Sequence, residues 1–243
     1  MFGPQRHENL AAALPVPVGG TMVDLGCGRG PTLAAVARRL DPTAHLIGLD
    51  RRQPELVDGL ATDRRVEILI ADLDEPLPLP DASADAAVCF NVLECLLHKE
   101  AFLSEVVRVL VPGGHFLLGH ADFDTIVFNT SDLSLTRQLV HAFADTTESW
   151  METSDGTMGR KLVQYARRSS FEVVDVFAWV GVHTDLAAGG PARIAVRGIV
   201  ESARQHTDLA GRVDAWVADL EDLERRGEFV YSINDYAVLL RKT

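Results

Sequence analysis

The sequence is short of several things, and each shortage removes a class of function. No apolar run approaches the ~20 residues that a membrane-spanning helix needs. Met1 to Asn9 lack the charged-then-apolar pattern of a secretory signal, so a cytoplasmic location is expected. Cysteine is scarce: Cys27, Cys89 and Cys95 stand in apolar or loop contexts without metal-type spacing. Buried free thiols in a reducing compartment are therefore expected, with no metal centre. Positive charge is also in deficit, with 23 Lys and Arg against 35 Asp and Glu and a formal net charge of −12. Binding to a polyanion draws on clustered cations and counterion release, so no nucleic-acid partner is expected. A small substrate fits better, and the acidic field favours an amine or a cation.

At 243 residues the chain suffices for one large α/β domain with a filled core. Its organising stretch is Thr21-Met22-Val23-Asp24-Leu25-Gly26-Cys27-Gly28-Arg29-Gly30. Met22–Leu25 reads as a buried parallel strand that stops at glycines spaced G-x-G-x-G. Pro31 then opens an alanine-rich helix over Pro31–Leu40, a position where its missing N–H costs nothing. Strand, glycine loop and helix make the first crossover of a nucleotide-type fold, with backbone donors facing a ligand. A dinucleotide fingerprint would need glycine where Pro31 stands. Asp24, two residues before Gly26, would repel a pyrophosphate but accept from the ammonium of an amino-acid ligand.

Downstream spacing strengthens this reading. His45–Asp50 is the second strand, and Asp50 lies twenty residues after Gly30, where doubly wound folds place the acid that holds ribose hydroxyls. As an alternative, Asp50 caps a helix over Gln53–Leu60. Val66–Ile70 is the third strand and runs into Ala71-Asp72-Leu73-Asp74. Ala86–Phe90 is the fourth, followed by Asn91-Val92-Leu93-Glu94-Cys95-Leu96. Glu100–Leu110 has a helical stripe of Phe102, Leu103, Val106, Val107 and Leu110, then Val111-Pro112-Gly113-Gly114 and a fifth strand over His115–Gly119.

The glycine loop, Asp50, Asp72-Leu73, Asn91-Val92-Leu93-Glu94 and Arg108-Val109-Leu110-Val111-Pro112-Gly113-Gly114 fall in order over residues 21–120. Together they resemble the S-adenosylmethionine-dependent methyltransferases with a Rossmann-like fold, in the small-molecule branch. The resemblance implies a doubly wound, seven-stranded, mostly parallel sheet with an antiparallel last strand, helices on both faces, and a helical lid and insert. It implies S-adenosylmethionine as cofactor and S-adenosylhomocysteine as product. Asp24, Gly26, Cys27, Gly28, Gly30, Asp50, Arg51, Asp72, Leu73, Asn91 and Val92 are then the cofactor-binding residues. Asp72 would meet the exocyclic amine of adenine. The family segment after the fourth strand usually ends Glu-His; Cys95 replaces that histidine and receives no catalytic role. An Asn-Pro-Pro-Tyr tetrad, the mark of base methylation in nucleic acids, is missing.

The acceptor side is less constrained. Gly119-His120-Ala121-Asp122-Phe123-Asp124-Thr125 resembles an Asp-Trp-Asp-Thr segment of small-molecule methyltransferases, with Phe123 in the tryptophan place. His120 and Asp122 are the candidate catalytic residues, to orient an amine or take its proton; Phe123, Tyr231 and Tyr236 are candidate substrate contacts. Alternatively Asp122 or Asp124 caps the next helix.

Further on, helices are expected over Ser131–Trp150 and Thr157–Arg168, a sixth strand over Phe171–Val180, and final strand runs at Phe229–Ile233 and Tyr236–Leu240. The domain division expected is a lid segment over residues 1–20, a cofactor core over 21–125 and an insert over 183–227 roofing the acceptor pocket. The insert holds helices over Ala192–Gln205 and Leu209–Arg226, the second with an apolar stripe of Leu209, Val213, Trp216, Val217, Leu220 and Leu223. A homodimer interface is the alternative use of that stripe. The expected activity is methyl transfer to an amine nitrogen of a small molecule, in natural-product metabolism. The alternatives are O-methylation of a phenol or alcohol, and a non-catalytic S-adenosylmethionine-binding regulator.

Overall fold

The strand that the sequence places first, β1 (Thr21–Leu25), has four of its five residues buried. A computed structural model describes residues 4–57, 59–147 and 153–243. Around β1 it arranges β2 (His45–Asp50), β3 (Val66–Ile70), β4 (Ala84–Phe90), β5 (Leu110–Phe128), β6 (Phe171–His183) and β7 (Tyr231–Lys242). They form one seven-stranded sheet in the order β3-β2-β1-β4-β5-β7-β6. Strands β1 to β5 run parallel, and β7 runs antiparallel to both β5 and β6. This is the sheet expected of the Rossmann-like methyltransferase fold. The order reverses between β1 and β4, and such reversals open a crevice beyond the carboxyl ends of the strands. Leu25 pairs with Leu49 of β2 and Cys89 of β4, so the glycine loop emerges between Asp50 and Phe90.

Helices cover both faces because each strand alternates its apolar side chains. On one face α1 (Pro4–Ala13) and α2 (Pro31–Ala37) bury Leu10, Leu14, Leu33 and Val36 against Met22, Leu46, Val88 and Leu117. On the other, α3 (Lys99–Val109) and α5 (Met158–Arg168) bury Phe102, Val106 and Leu162 against Val23, Leu25, Phe116 and Leu118. A third cluster caps the far ends of β5 and β7, where α4 (Leu133–Ala144), α6 (Pro191–Ala203), α7 (Thr207–Ala210) and α8 (Val213–Arg225) enclose Phe128, Phe229 and Tyr231.

Several boundaries differ from the sequence expectation. Helix α2 ends at Ala37, short of Leu40, because Arg39 closes a turn onto Val36. Gln53–Val57 is not helical, and a short 3-10 turn occupies Leu60–Thr62. Strand β5 was expected over His115–Gly119, yet it runs from Leu110 to Phe128 because β7 pairs with it as far as Phe128. His120, Asp122 and Phe123 therefore belong to the strand rather than to a loop after it. The cap of α4 is Asp132, which accepts from the Leu135 N–H at 2.9 Å, so neither Asp122 nor Asp124 serves that purpose. The end of the expected Ser131–Trp150 helix, with Trp150, lies outside the described residues. The two final strand runs form one strand, β7.

The apolar stripe of the insert is consumed within the chain: Leu209, Val213, Trp216, Leu220 and Leu223 are all buried in the capping cluster. Trp216 also donates to Thr136 Oγ1 at 3.0 Å. The stripe is thus closed to the dimer contact that was its alternative use. No described helix is long and apolar enough to cross a membrane.

Candidate active site

The glycine loop is tied to the second strand. The N–H groups of Gly26 and Cys27 both donate to the Leu49 carbonyl, at 2.8 and 2.9 Å. The Gly28 N–H donates to Asp50 Oδ2 at 2.8 Å, and the Arg52 N–H to Asp50 Oδ1 at 3.2 Å. Loop and carboxylate are therefore set relative to one another before any ligand arrives. Gly26 has φ +78° and a side chain there would overlap Val92, whereas a side chain at Gly28 would meet nothing. The first glycine serves packing; the second leaves open space above the loop.

Two cavities meet at this loop. The larger, of about 320 Å³, is bounded by Asp50, Arg51, Asp72, Leu73, Asn91 and Val92. Arg51 Nε stands 3.4 Å from Asp72 Oδ2 across it. Asp74, beside them, accepts from the N–H groups of Leu97 and His98 at 3.2 and 2.8 Å, so it anchors a loop. The smaller cavity, about 160 Å³, is bounded by Arg6, His7, Asp24, Thr32 and Phe90. Both cavities are lined by Gly26 and Asn91. Asn91 has φ +57° and its Oδ1 accepts from the Ala121 N–H at 2.8 Å, which joins the ends of β4 and β5 at the junction.

Electrostatics in the smaller cavity suits a zwitterion. Asp24 is buried, accepts a hydrogen bond from the Leu33 backbone, and keeps Oδ2 without a partner among the described residues. Burial, reinforced by the like charge of Asp50 and opposed by the Leu33 bond, raises its pKa to about 7. Opposite stands His7, whose Nδ1 lies 2.9 Å from Thr32 Oγ1. Burial and the neighbouring Arg6 lower its pKa to about 4, so the ring is neutral at physiological pH. A buried carboxylate oxygen with no partner invites an ammonium, and the neutral His7–Thr32 side offers polar groups to a carboxylate. An amino-acid moiety there, continuous with a nucleoside beside Asp50 and Asp72, fits the residues present. Cys27 is packed under the loop with its thiol pushed well above the usual range by burial, and Cys95 is pushed up to about 12 for the same reason. Among the described residues no group of His, Cys, Asp and Glu is arranged to hold a metal ion.

The candidate acceptor residues take other places. His120 and Asp122 are completely buried, on the sheet face that carries α3 and α5. His120 Nδ1 lies 2.6 Å from the Ala121 carbonyl; its Nε2 lies 3.4 Å from Glu94 Oε1 and makes no hydrogen bond among the described residues. Asp122 accepts from Arg160 Nε and Nη2 at 2.6 and 2.7 Å, and the same guanidinium reaches Asp124 at 3.0 Å. Phe123 packs against the rings of His120 and Phe143, at 5.8 and 5.4 Å. Tyr231 and Tyr236 point to opposite faces of β7, Tyr231 into the capping cluster and Tyr236 onto the α3/α5 side. None of these five lines either cavity at the glycine loop. Sequence reasoning missed Arg6, His7, Glu94 and Arg160 as site neighbours. For Glu94 a signal existed, because adjacent strand ends bring the segments after β4 and β5 together; for Arg6 and Arg160 none did.

Comparison with known proteins agrees with the geometry. Residues 23–118 match the family model described as a methyltransferase domain. The chain is similar to a probable S-adenosylmethionine-dependent methyltransferase of Mycolicibacterium smegmatis, 41% identical over 118 residues, covering 47% of this chain and 43% of that one. It is 28% identical over 133 residues to ajmaline N-methyltransferase of Rauvolfia serpentina, covering 53% and 46%. The chain spans about half the length of the curated relatives it matches. The YcgJ protein of Bacillus subtilis shares the fold, with a TM-score of 0.61, 15% identity and 98% of both chains covered. Fold, loop and matched domain together identify residues 23–118 as a methyltransferase domain, set in the seven-stranded sheet of the Rossmann-like S-adenosylmethionine-dependent methyltransferase fold.

Proposed function

We propose that the chain transfers the methyl group of S-adenosylmethionine to an amine nitrogen of a small molecule, in natural-product metabolism. The observation that carries this reading is the junction at Gly26 and Asn91 of a cavity bearing Asp50 and Asp72 with one bearing the unpartnered oxygen of Asp24. Asp50 accepts from the ribose hydroxyls, charge-assisted bonds that are the strong kind. Asp72 accepts from the adenine amine, the Leu73 backbone meets the ring, and Arg51 holds Asp72 in place. Asp24 accepts from the amino-acid ammonium, and His7 with Thr32 faces its carboxylate. The cofactor supplies the methyl electrophile, so the protein's task is alignment and exclusion of water. His120 and Asp122 act here from behind β5, where the Ala121 carbonyl meets His120 Nδ1 and Arg160 clamps Asp122, and so fix the strand end beside Asn91. The net charge of −12 favours an amine acceptor, and a similar protein is named for N-methylation.

The test is methyl transfer from label-bearing S-adenosylmethionine to a panel of primary amines, secondary amines and phenols. Label in amines is expected. Label confined to phenols would overturn the nitrogen assignment, and no label in any acceptor despite S-adenosylhomocysteine binding would mean a non-catalytic binder.

A further inference from the structure

A third cavity, about 400 Å³, lies between α1 and the antiparallel β6–β7 pair. Trp179 and Gly181 of β6 stand opposite Asp235 and Ile233 of β7, and these four with His183 give the cavity its floor. Gln5, Arg6 and Asn9 of α1 form its roof. Arg6 also lines the cavity that holds Asp24. Its Nε donates to Asp235 Oδ2 at 2.6 Å and its guanidinium lies 4.9 Å from the Phe90 ring centroid. One side chain thus stands at the edge of both the amino-acid end of the cofactor site and this third space.

We propose that the third cavity is the methyl-acceptor pocket, that it takes a flat, uncharged aromatic amine or nitrogen heterocycle, and that His183 receives the proton the nitrogen releases. The inference rests on the methyl-transfer reading above. The indole of Trp179 is a flat wall, held by parallel stacking on Phe177 with centroids 5.4 Å apart and planes 5° apart. Ile233 adds apolar surface and the β6 chain at Val180 and Val182 borders the space with its backbone, the two side chains pointing to the opposite face, while Gln5, Asn9 and His183 are the neutral polar groups. The charges at the lining, Arg6 and Asp235, are spent on each other, so an ammonium entering here meets no counter-charge of its own. A neutral nitrogen, which keeps the lone pair it needs, is what the pocket admits.

His183 is placed for proton transfer. It is half-buried, so it has an outlet to solvent. Burial holds its pKa below the usual imidazole value, aided by Arg6 and opposed by Asp185 and Asp235, so the ring is neutral and able to accept. Behind it the Tyr231 ring packs at 5.9 Å, with a fully buried hydroxyl that has no partner among the described residues. In the reaction the nitrogen lone pair forms the new N–C bond and the electrons of the broken C–S bond stay on sulfur. The N–H proton of the methylated ammonium passes to His183 and on to water. The sequence pointed instead to a pocket under the 183–227 insert; the cavity touches that segment only at His183.

Gly181 supplies the test. A Cβ there would lie 3.7 Å from Ile233 and 3.9 Å from His183 Nε2, ordinary contacts, so Gly181→Leu fills the pocket without displacing backbone. Crystals of the S-adenosylhomocysteine complex are soaked with aniline, benzylamine, indoline and phenol. Rings seated against Trp179 in the native protein are expected; fragments seated only elsewhere, or nowhere, overturn the pocket. Gly181→Leu should hold S-adenosylhomocysteine within about twofold of native affinity while KM for the methylated amine rises at least about tenfold. Trp179→Ala should do the same and covers the case of a poorly folding leucine variant. His183→Gln should lower kcat about tenfold or more with little change in KM. Unchanged kcat there, or no turnover of any amine that binds at Trp179, overturns the proton role. Loss of S-adenosylhomocysteine binding in the native protein would instead sink the cofactor reading, so the two failures are distinct.

Discussion

The two ends of the sheet differ in how they treat polar side chains. At the β2–β1–β4 end Asp24, Asp50 and Asp72 face cavities, and Asp24 is left with an oxygen that has no partner among the described residues. At the β5–β7 end Asp122 and Asp235 are also buried, yet each is closed by a two-pronged arginine, Arg160 and Arg6. A buried carboxylate is costly unless paired. The first end keeps that cost for a ligand to relieve; the second relieves it internally and is architecture. Arg6 belongs to both, because it locks α1 onto β7 while lining the cofactor-side cavity.

The contrast breaks most readily at Arg6. Arg6→Ala leaves Asp235 buried without its cation, and losing one partner of a buried pair costs about 3–5 kcal/mol. Urea unfolding should show that loss, and Arg6→Met with Asp235→Leu should recover most of it; an unaffected single variant would deny the lock. Gly26→Ala comes next. A left-handed conformation costs a non-glycine residue about 1–2 kcal/mol, and overlap with Val92 adds to it. S-adenosylhomocysteine binding should fall below detection by calorimetry.

Asp50→Ala should weaken S-adenosylhomocysteine binding by about 1–3 kcal/mol, the loss of a charged acceptor. Stability should change far less than in Arg6→Ala, since Asp50 is not sealed in the core; unchanged affinity would refute the ribose assignment. The smallest effect sharpens the comparison through pH. Asp24 has its pKa raised to about 7, so protonation is the easy state of the free protein below that value. The stability this group contributes is present at low pH and is lost as pH rises through about 7. Binding of an ammonium needs the ionised form, so S-adenosylhomocysteine affinity should rise between about pH 5.5 and 8. Asp24→Asn should flatten that rise; a native profile already flat would place the ammonium elsewhere.

Much of the first end was legible in the sequence because its chemistry is local. Asp24, Gly26, Gly28 and Asp50 lie within one strand–loop–helix–strand unit, and a ligand that must meet a glycine loop and an acid fixes their spacing. The second end was not legible, since its contacts span long separations: Arg6 meets Asp235, Glu94 meets His120 and Arg160 meets Asp122. The period of β5 also misled. His115–Gly119 was expected to end the strand, but pairing with β7 carries it to Phe128 and turns His120 and Asp122 inward. The apolar stripe of Leu209 to Leu223 was visible as a stripe, while its partners, Phe128 and Phe229, were not.

The central claim is that the cavities joined at Gly26 and Asn91 form an S-adenosylmethionine site. Calorimetric titration of the purified protein with S-adenosylhomocysteine, S-adenosylmethionine and NAD, run in parallel, tests it most directly. Saturable binding of the first two and none of NAD is the predicted result. Binding of NAD alone, or of none of the three, would contradict the account.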